Sequence, residues 1–178
     1  QLLDIYRDDS AYVDGQGNEL AAAQNQDGSV RFTMRHEIEM ENLLGFGGSW
    51  TTSGRQWGAW NATYGPRGAS GLPVPLWDSA SGRIDHSVTQ HWEKYDLRLV
   101  IERNWDDLAT KLRSKLNIWV GEMDDYYLNT AVHLLDEMLQ TRSSIDARVT
   151  YGEGRGHCWV GLSQGEIIRE IGERVSNP

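Results

Sequence analysis

Two short apolar segments with a helical pattern between them constrain the second half of this 178-residue chain. Residues 116–120 (LNIWV) and 147–151 (ARVTY) are each typical of a strand. Between them, residues 127–141 carry apolar side chains at helical spacing, and residues 163–175 repeat that pattern. Strand, helix, strand and helix in this order predict a βαβ unit, in which both strands lie parallel in one sheet.

The first half of the chain has a different character. Residues 1–96 hold most of the glycines and all but one of the prolines, so we expect a loop-rich, cap-like region there. Within it, residues 29–36 predict a short strand, residues 35–44 a helix and residues 87–95 a helix capped by Asp85. Residues 97–113 predict a further helix, and we expect the second region to span residues 97–178.

The composition narrows the classes of partner and cofactor. A net charge of −9 argues against binding to a nucleic-acid backbone, which needs clustered Lys and Arg. A single cysteine excludes an internal disulfide and a cysteine-based zinc cluster, and no histidine pair has metal-ligand spacing. No apolar run reaches membrane-spanning length, and no signal peptide is expected at the start. We therefore expect no cofactor, no metal and no membrane partner.

Acidic and imidazole side chains follow the two predicted strands. The loop GEMDDYY after the first strand offers Asp124 and Asp125, and the loop GEGRGHCW after the second offers His157. Carboxyl ends of neighbouring parallel strands meet at one edge of a sheet, so these groups should converge. A carboxylate against one imidazole nitrogen fixes the tautomer and stabilises the imidazolium. Only one of the adjacent aspartates can do so, and we predict Asp124 within hydrogen-bond reach of His157.

The segments VGEMDDYYLNTAVHLLDEML and VTYGEGRGHCW resemble the C-terminal portion of an α/β-hydrolase, of the secreted-esterase, carbohydrate-esterase-like type. In that fold the acid lies in a G-x-x-D loop after a strand, which Gly121–Asp124 matches, and the histidine follows the next strand, which His157 matches. The resemblance implies an α/β fold with a partial α/β-hydrolase-like parallel sheet and flanking helices, preceded by an irregular Trp- and Gly-rich cap-like region. It also implies a secreted or periplasmic location.

The nucleophile of such a triad is not evident in this chain. It should precede Asp124, but the only G-x-S-x-G pattern is Gly161–Gly165, after His157. Ser163 and Glu166 also form S-x-x-E before an apolar-periodic helix, which predicts a capping box with Ser163 as the N-cap. Cys158 lies beside His157, and a small buried hydrophobe is the more usual role of a free cysteine.

Two hypotheses of function follow. In the first, the chain is an esterase-like hydrolase for an acyl ester, possibly carbohydrate-linked, supplying Asp124 and His157 of a Ser-His-Asp triad. Trp57 and Trp60 would then bind substrate, although tryptophans in Gly-rich loops also serve as packing. In the second, the chain is an inactive binding or structural module that uses its Trp-rich loops. Because residues 116–120 would leave a free strand edge, we expect a homo-oligomer or a partner chain carrying the missing N-terminal half.

Overall fold

The computed structural model describes residues 2–142 and 145–176, in which seven α-helices accompany two sheets of two strands each. The N-terminal half begins with an antiparallel hairpin of β1 (Ala21–Gln24) and β2 (Val30–Thr33). Helices α1 (Met34–Leu44), α2 (Gln56–Tyr64) and α3 (His86–Trp92) follow. This half therefore has more regular structure than its glycine content suggests.

The main hydrophobic core lies in this N-terminal half and is rich in tryptophan. Trp50 stacks on Trp77 with ring centroids 4.8 Å apart, and Trp57 meets Trp77 edge-on at 4.7 Å. Buried residues of the hairpin, of helices α1 and α3 and of the connection before α3 belong to the same cluster: Ala22, Met34, Ile38, Leu76 and Val88. The large rings fill space between short elements that cannot interdigitate as regular layers do. Tryptophan packing thus replaces an extended sheet as the centre of this half.

A fully buried carboxylate joins α1 to α2. Glu41 on α1 accepts hydrogen bonds from the backbone N–H groups of Trp57 (2.8 Å) and Gly58 (2.9 Å) and from the Ser53 hydroxyl (2.6 Å). The N–H groups in the first turn of a helix have no partner within the helix, and the helix dipole favours a negative charge there. Glu41 therefore fixes the start of α2, the helix that carries Trp57 and Trp60.

The C-terminal half contains helices α4 (Leu97–Arg103) and α5 (Trp105–Leu112), then β3 (Asn117–Gly121), α6 (Leu128–Gln140), β4 (Arg148–Gly152) and α7 (Gln164–Ser176). Strands β3 and β4 pair in parallel, with Asn117 opposite Arg148 and Gly121 opposite Gly152. A small cluster of Ile101, Met138, Leu139 and Ile145 forms the core of this half. The predicted strand–helix–strand–helix order is confirmed, and both strands lie one residue further along than predicted.

The predicted fold class is wrong. Instead of a partial α/β-hydrolase-like sheet under an irregular cap-like region, the described residues form one antiparallel and one parallel pair of strands among seven helices. The physical reason is that, within residues 2–142 and 145–176, β3 and β4 have no strand neighbour except each other, while the N-terminal strands form their own hairpin. Two paired strands do not constitute a hydrolase sheet.

Smaller differences also have local causes. The helix predicted over residues 97–113 is two helices, because Asn104 leaves the helical conformation at φ −116° and ψ 30°. Asp85 caps α3, as predicted, by accepting from Ser87 N–H at 2.9 Å. The predicted boundary between residues 96 and 97 stays a prediction, and residues 1, 143–144 and 177–178 of those regions lie outside the described residues. None of the described helices is long and apolar enough to cross a membrane.

Candidate active site

The loop after β3 holds Asp124 in a fixed orientation. Its side chain is only 4 % exposed. Oδ1 accepts hydrogen bonds from the backbone N–H groups of Tyr126 (2.9 Å) and Leu128 (3.2 Å), at the start of α6. Tyr127 adopts a left-handed conformation, with φ 58°, which turns the chain sharply from the loop into the helix. One carboxylate oxygen thus organises the loop, and the other, Oδ2, is available for a different partner.

The loop after β4 delivers His157 to that second oxygen. Backbone hydrogen bonds link the two loops, from Glu122 N–H to the Gly152 carbonyl (2.9 Å) and from Met123 N–H to the Arg155 carbonyl (2.8 Å). A Cβ at Gly121 would collide with the Arg155 carbonyl, so this close crossing requires glycine there. As a result, Nδ1 of His157 lies 2.9 Å from Oδ2 of Asp124. The predicted proximity at the carboxyl ends of adjacent parallel strands is confirmed.

This contact determines how the imidazole can act. A carboxylate can only accept a hydrogen bond, so the neutral ring carries its proton on Nδ1 and presents a basic lone pair on Nε2. Nε2 makes no hydrogen bond within the described part of the chain, and the His157 side chain is 36 % exposed. The ring also meets Tyr126 edge-on at 4.9 Å, which limits its rotation. The pair has the geometry of a general base and its orienting acid.

A cavity of about 640 Å³ lies beside this pair and spans both halves of the molecule. Its apolar lining residues are Phe32, Met40, Trp60, Tyr126 and Leu128, and its polar lining residues are His36, Glu37, Glu41, Arg55, Gln56 and His157. The volume lies in the range of small-molecule sites, which are mostly apolar with a few placed polar groups. His157 therefore faces a space that could hold a ligand.

The two tryptophans singled out in the sequence have different positions. Trp60 lines the cavity with His157. Trp57 is 4 % exposed and belongs to the core, and its indole N–H donates to Glu37 at 3.3 Å. Trp57 does not itself line the cavity, but it contacts three residues that do: Glu37, Glu41 through its backbone N–H, and Trp60 edge-on at 5.0 Å. The substrate-binding roles of Trp57 and Trp60 stay predictions.

The surroundings of Glu37 alter the protonation of its carboxyl group. Burial raises the pKa of Glu37, and the negative charge of Glu41 adds to that effect, while the hydrogen bond from Trp57 opposes it. Glu41 accepts from three donors and Glu37 from one, so Glu37 retains acceptor capacity for a ligand or for water. The cavity is thus lined both by the acceptor Glu37 and by the imidazole of His157.

Asp125, the competing aspartate, does not contact the imidazole ring. Its Oδ2 lies 3.0 Å from the Arg31 guanidinium, and its Oδ1 accepts from the backbone N–H of His157 at 3.3 Å. The hydrogen bond from His157 and the Arg31 contact lower the pKa of Asp125. The backbone carbonyl of Asp125 accepts from Gln24 N–H at 2.8 Å. Asp124 is therefore the acid of the pair, and Asp125 joins the loop to the N-terminal hairpin.

The candidate nucleophiles lie elsewhere. Ser163 is the N-cap of α7: its hydroxyl accepts from Glu166 N–H at 3.3 Å, and the Glu166 carboxylate accepts from Ser163 N–H at 2.8 Å. The predicted capping box is confirmed. Cys158 is exposed, not buried as expected of a small hydrophobe. Among the described residues that line the cavity there is no serine, threonine or cysteine, and no group of three potential metal ligands occurs in the described chain.

Comparison with known proteins gives no match to a family model, to a curated protein or to a solved structure. The resemblance to secreted esterases therefore rests on the loop residues alone, and the catalytic role of Asp124 and His157 stays a prediction. Sequence reasoning did not identify Glu37, Tyr126 or Arg31 as parts of the site. Tyr126 lies two residues after Asp124 and could have been suspected, whereas Glu37 and Arg31 become neighbours of the site only through tertiary folding.

Proposed function

We propose that the chain is an esterase-like hydrolase in which His157, oriented by Asp124, is the general base for cleavage of an acyl ester. The observation that supports this most directly is the 2.9 Å contact between Nδ1 of His157 and a buried carboxylate, with the ring at the wall of a cavity. An imidazole held in this way has a defined tautomer and a stabilised protonated form, which a general base needs.

The chemistry requires one proton to move twice. Nε2 of His157 takes the proton of an attacking hydroxyl while its oxygen bonds to the carbonyl carbon of the ester. The tetrahedral intermediate then collapses, and the imidazolium gives the proton to the departing alkoxide. With water as the attacking group, the products are a carboxylic acid and an alcohol. With a serine, an acyl-serine forms first, and water releases the acid by the same two proton transfers.

The source of the attacking hydroxyl decides whether the proposed hydrolase needs a second chain. Since no serine, threonine or cysteine is among the described lining residues, either water attacks directly or a second chain supplies a serine. Helix α7 favours a second chain, because Ile168, Ile171 and Val175 on it are 70 %, 58 % and 75 % exposed. That chain is a second copy of this protein or a different chain that carries a serine nucleophile.

The cavity supports an ester with an apolar or sugar-bearing portion. Aromatic side chains such as Trp60 and Tyr126 provide flat apolar surfaces, while Glu37 accepts and Gln56 can both donate and accept hydrogen bonds. A carbohydrate-linked acyl group presents complementary faces, with C–H surfaces and hydroxyl groups. The second function that we consider is a binding module without catalysis, favoured by the lack of a nucleophile among the described lining residues.

Hydrolysis of p-nitrophenyl acetate tests the proposal. His157→Gln and Asp124→Asn should each lower the rate at least about 10²-fold, because each removes the oriented base. His133→Gln is the matched control, since His133 also contacts a carboxylate, Glu122 at 3.3 Å, but is not among the cavity-lining residues. Its rate should equal that of the wild type.

A serine-directed phosphonate separates the two sources of the hydroxyl. Inhibition, with activity that rises with added partner or with chain concentration, supports a serine from a second chain. Resistance to the phosphonate supports direct attack by water. Equal rates in the wild type, His157→Gln and His133→Gln would contradict the hydrolase and leave the binding module as the better account.

A further inference from the structure

We propose that Asp125 and Arg31 are positioning residues that hold His157 against Asp124, so that the N-terminal hairpin sets the geometry of the candidate active site. We use the name hairpin brace for the contacts of Arg31 and Gln24 with the loop of Asp124 and Asp125. The kinetic consequence of this inference rests on the proposed hydrolase, whereas its geometric part does not.

The hairpin brace contacts three groups on two consecutive loop residues. Arg31 on β2 pairs with the Asp125 carboxylate at 3.0 Å. Gln24 on β1 donates from its backbone N–H to the Asp125 carbonyl at 2.8 Å and from its side-chain amide to the Asp124 carbonyl at 2.9 Å. Gln24 is 8 % exposed, so its amide is largely removed from competition with water. The hairpin therefore fixes the backbone of the aspartate loop from outside the β3–β4 pair.

Asp125 extends this effect to His157. One of its oxygens accepts from Arg31 and the other from the backbone N–H of His157 at 3.3 Å. Asp124 is already held by Tyr126 and Leu128, so the position of the histidine loop decides whether the imidazole reaches Oδ2. That loop contains Gly154 in a left-handed conformation, with φ 63°. Glycine leaves such a loop conformationally free, and an anchor beside His157 removes that freedom.

The same hairpin also forms part of the cavity wall. Phe32, next to Arg31 on β2, lines the cavity together with His157. A displacement of β2 would therefore move an apolar wall of the cavity and the anchor of the histidine loop at the same time. This arrangement connects ligand contact at Phe32 to the orientation of His157 through a continuous set of contacts.

The charged part of the brace is accessible to salt. The side chains of Arg31 and Asp125 are 39 % and 27 % exposed. Partly exposed ion pairs weaken as salt shortens the screening length. The wild-type site should therefore loosen at high ionic strength, and a variant without the pair should have lost most of that salt dependence.

Proton NMR of the Nδ1–H of His157 in ¹⁵N-histidine-labelled protein tests the positioning role without turnover. Asp125→Ala and Arg31→Ala should each speed its exchange with water at least about tenfold, as expected when a local contact opens more often. Asp125→Asn should restore much of the wild-type behaviour, because its amide oxygen can still accept from His157 N–H. The Nδ1–H resonance of His157 is identified as the one that is absent from the spectrum of His157→Gln.

Arg148→Ala is the matched control. Arg148 is also a strand arginine in a partly exposed ion pair, with Glu170 at 2.7 Å, and is remote from the aspartate loop. Its Nδ1–H exchange should be that of the wild type. Unchanged exchange in folded Asp125→Ala and Arg31→Ala would overturn the inference, and so would equal acceleration in Arg148→Ala, because the effect would then be general loss of stability.

The kinetic readout separates this inference from the proposed function. If the ester is hydrolysed, Asp125→Ala should lower kcat by up to about 10²-fold with a smaller change in KM, as expected for a misplaced catalytic group. Altered Nδ1–H exchange in a protein without esterase activity would support the positioning role and contradict the hydrolase. A wild-type protein with no protected Nδ1–H would contradict the Asp124–His157 contact and both proposals.

Discussion

In this molecule, the half with the longer helices has the smaller hydrophobic core. Residues 2–96 have short elements and long connections, yet they bury Trp50, Trp57 and Trp77 in one cluster. Residues 97–176 have the longest helices, α6 and α7, but a core cluster of only four buried residues in the described chain. No described residue of α7 is buried. A strong periodicity of apolar residues therefore predicts a helix. Whether that helix contributes to a core depends on which other elements cover its apolar face.

The largest expected effect comes from comparing one isoleucine in each half. Ile38 on α1 is fully buried, whereas Ile168 on α7 is 70 % exposed. Ile38→Ala should lower the free energy of unfolding by about 2–5 kcal/mol, because it removes buried methylene groups and leaves a cavity. Ile168→Ala should change it by less than about 0.5 kcal/mol, as exposed positions do. Urea denaturation measures both, and equal losses would show that α7 is covered in solution.

An intermediate effect comes from comparing two capping boxes, that of Ser163 and Glu166 at α7 and that of Thr33 and His36 at α1. Ser163→Ala should lower the stability of α7 by about 0.5–2 kcal/mol, since the first-turn N–H groups lose their acceptor. Amide hydrogen exchange should show faster opening in α7 and an unchanged Ile38 region, because α7 shares few buried contacts with the rest. Thr33→Ala, which removes the cap of α1, should instead lower global stability. An increase in exchange across the whole molecule in Ser163→Ala would contradict the separation.

The smallest effect is a pH dependence of opposite sign in the two halves. Burial raises the pKa of Glu37, so the folded state binds more protons there, and stability falls as pH rises from the ordinary glutamate range through the raised pKa. The Ser163 hydrogen bonds lower the pKa of Glu166, so its contribution is present at higher pH and is lost as pH falls through the lowered pKa.

Thermal unfolding between about pH 3 and pH 7, a range around the ordinary glutamate pKa, measures both slopes. Glu37→Gln should remove the decline and raise the relative melting temperature near neutral pH. Glu166→Gln should remove the part of the stability that the wild type loses as pH falls on the acid side. The same sign of change in both variants would contradict the opposite environments inferred for the two carboxyl groups.

Some features of the chain can be predicted from the sequence because each depends on neighbouring residues or on a single pair of strands. Strands β3 and β4, the cap at Ser163 and the approach of Asp124 to His157 all follow from apolar runs, S-x-x-E and a parallel pair. The remaining site cannot be read in this way. Phe32, Glu37 and Trp60 lie far from His157 along the chain, and they meet it only because the tryptophan core places α1 and α2 opposite the aspartate loop.

The fold class could not be predicted because periodicity does not reveal how many strands join a sheet. The short strand β1 (AAAQ) lacks β-branched residues, and α2 contains Gly58 and two tryptophans, so neither has the usual signal of its type. Gly58 is nevertheless required there, since a Cβ would meet the Ser53 hydroxyl and the Trp50 carbonyl. Tertiary contacts override local preference at these positions.

The stacked tryptophans also give the molecule an internal optical label. Trp50 and Trp77 lie nearly parallel, 17° apart, at 4.8 Å between centroids, with Trp57 close by at 72° to Trp77. Transitions of aromatic rings this close mix, so their ultraviolet circular dichroism should contain a coupled signal that disappears when the rings separate. All three lie in the N-terminal half, whereas Trp105, Trp119 and Trp159 lie in the other. One spectroscopic band should therefore follow the melting of one half of this protein alone.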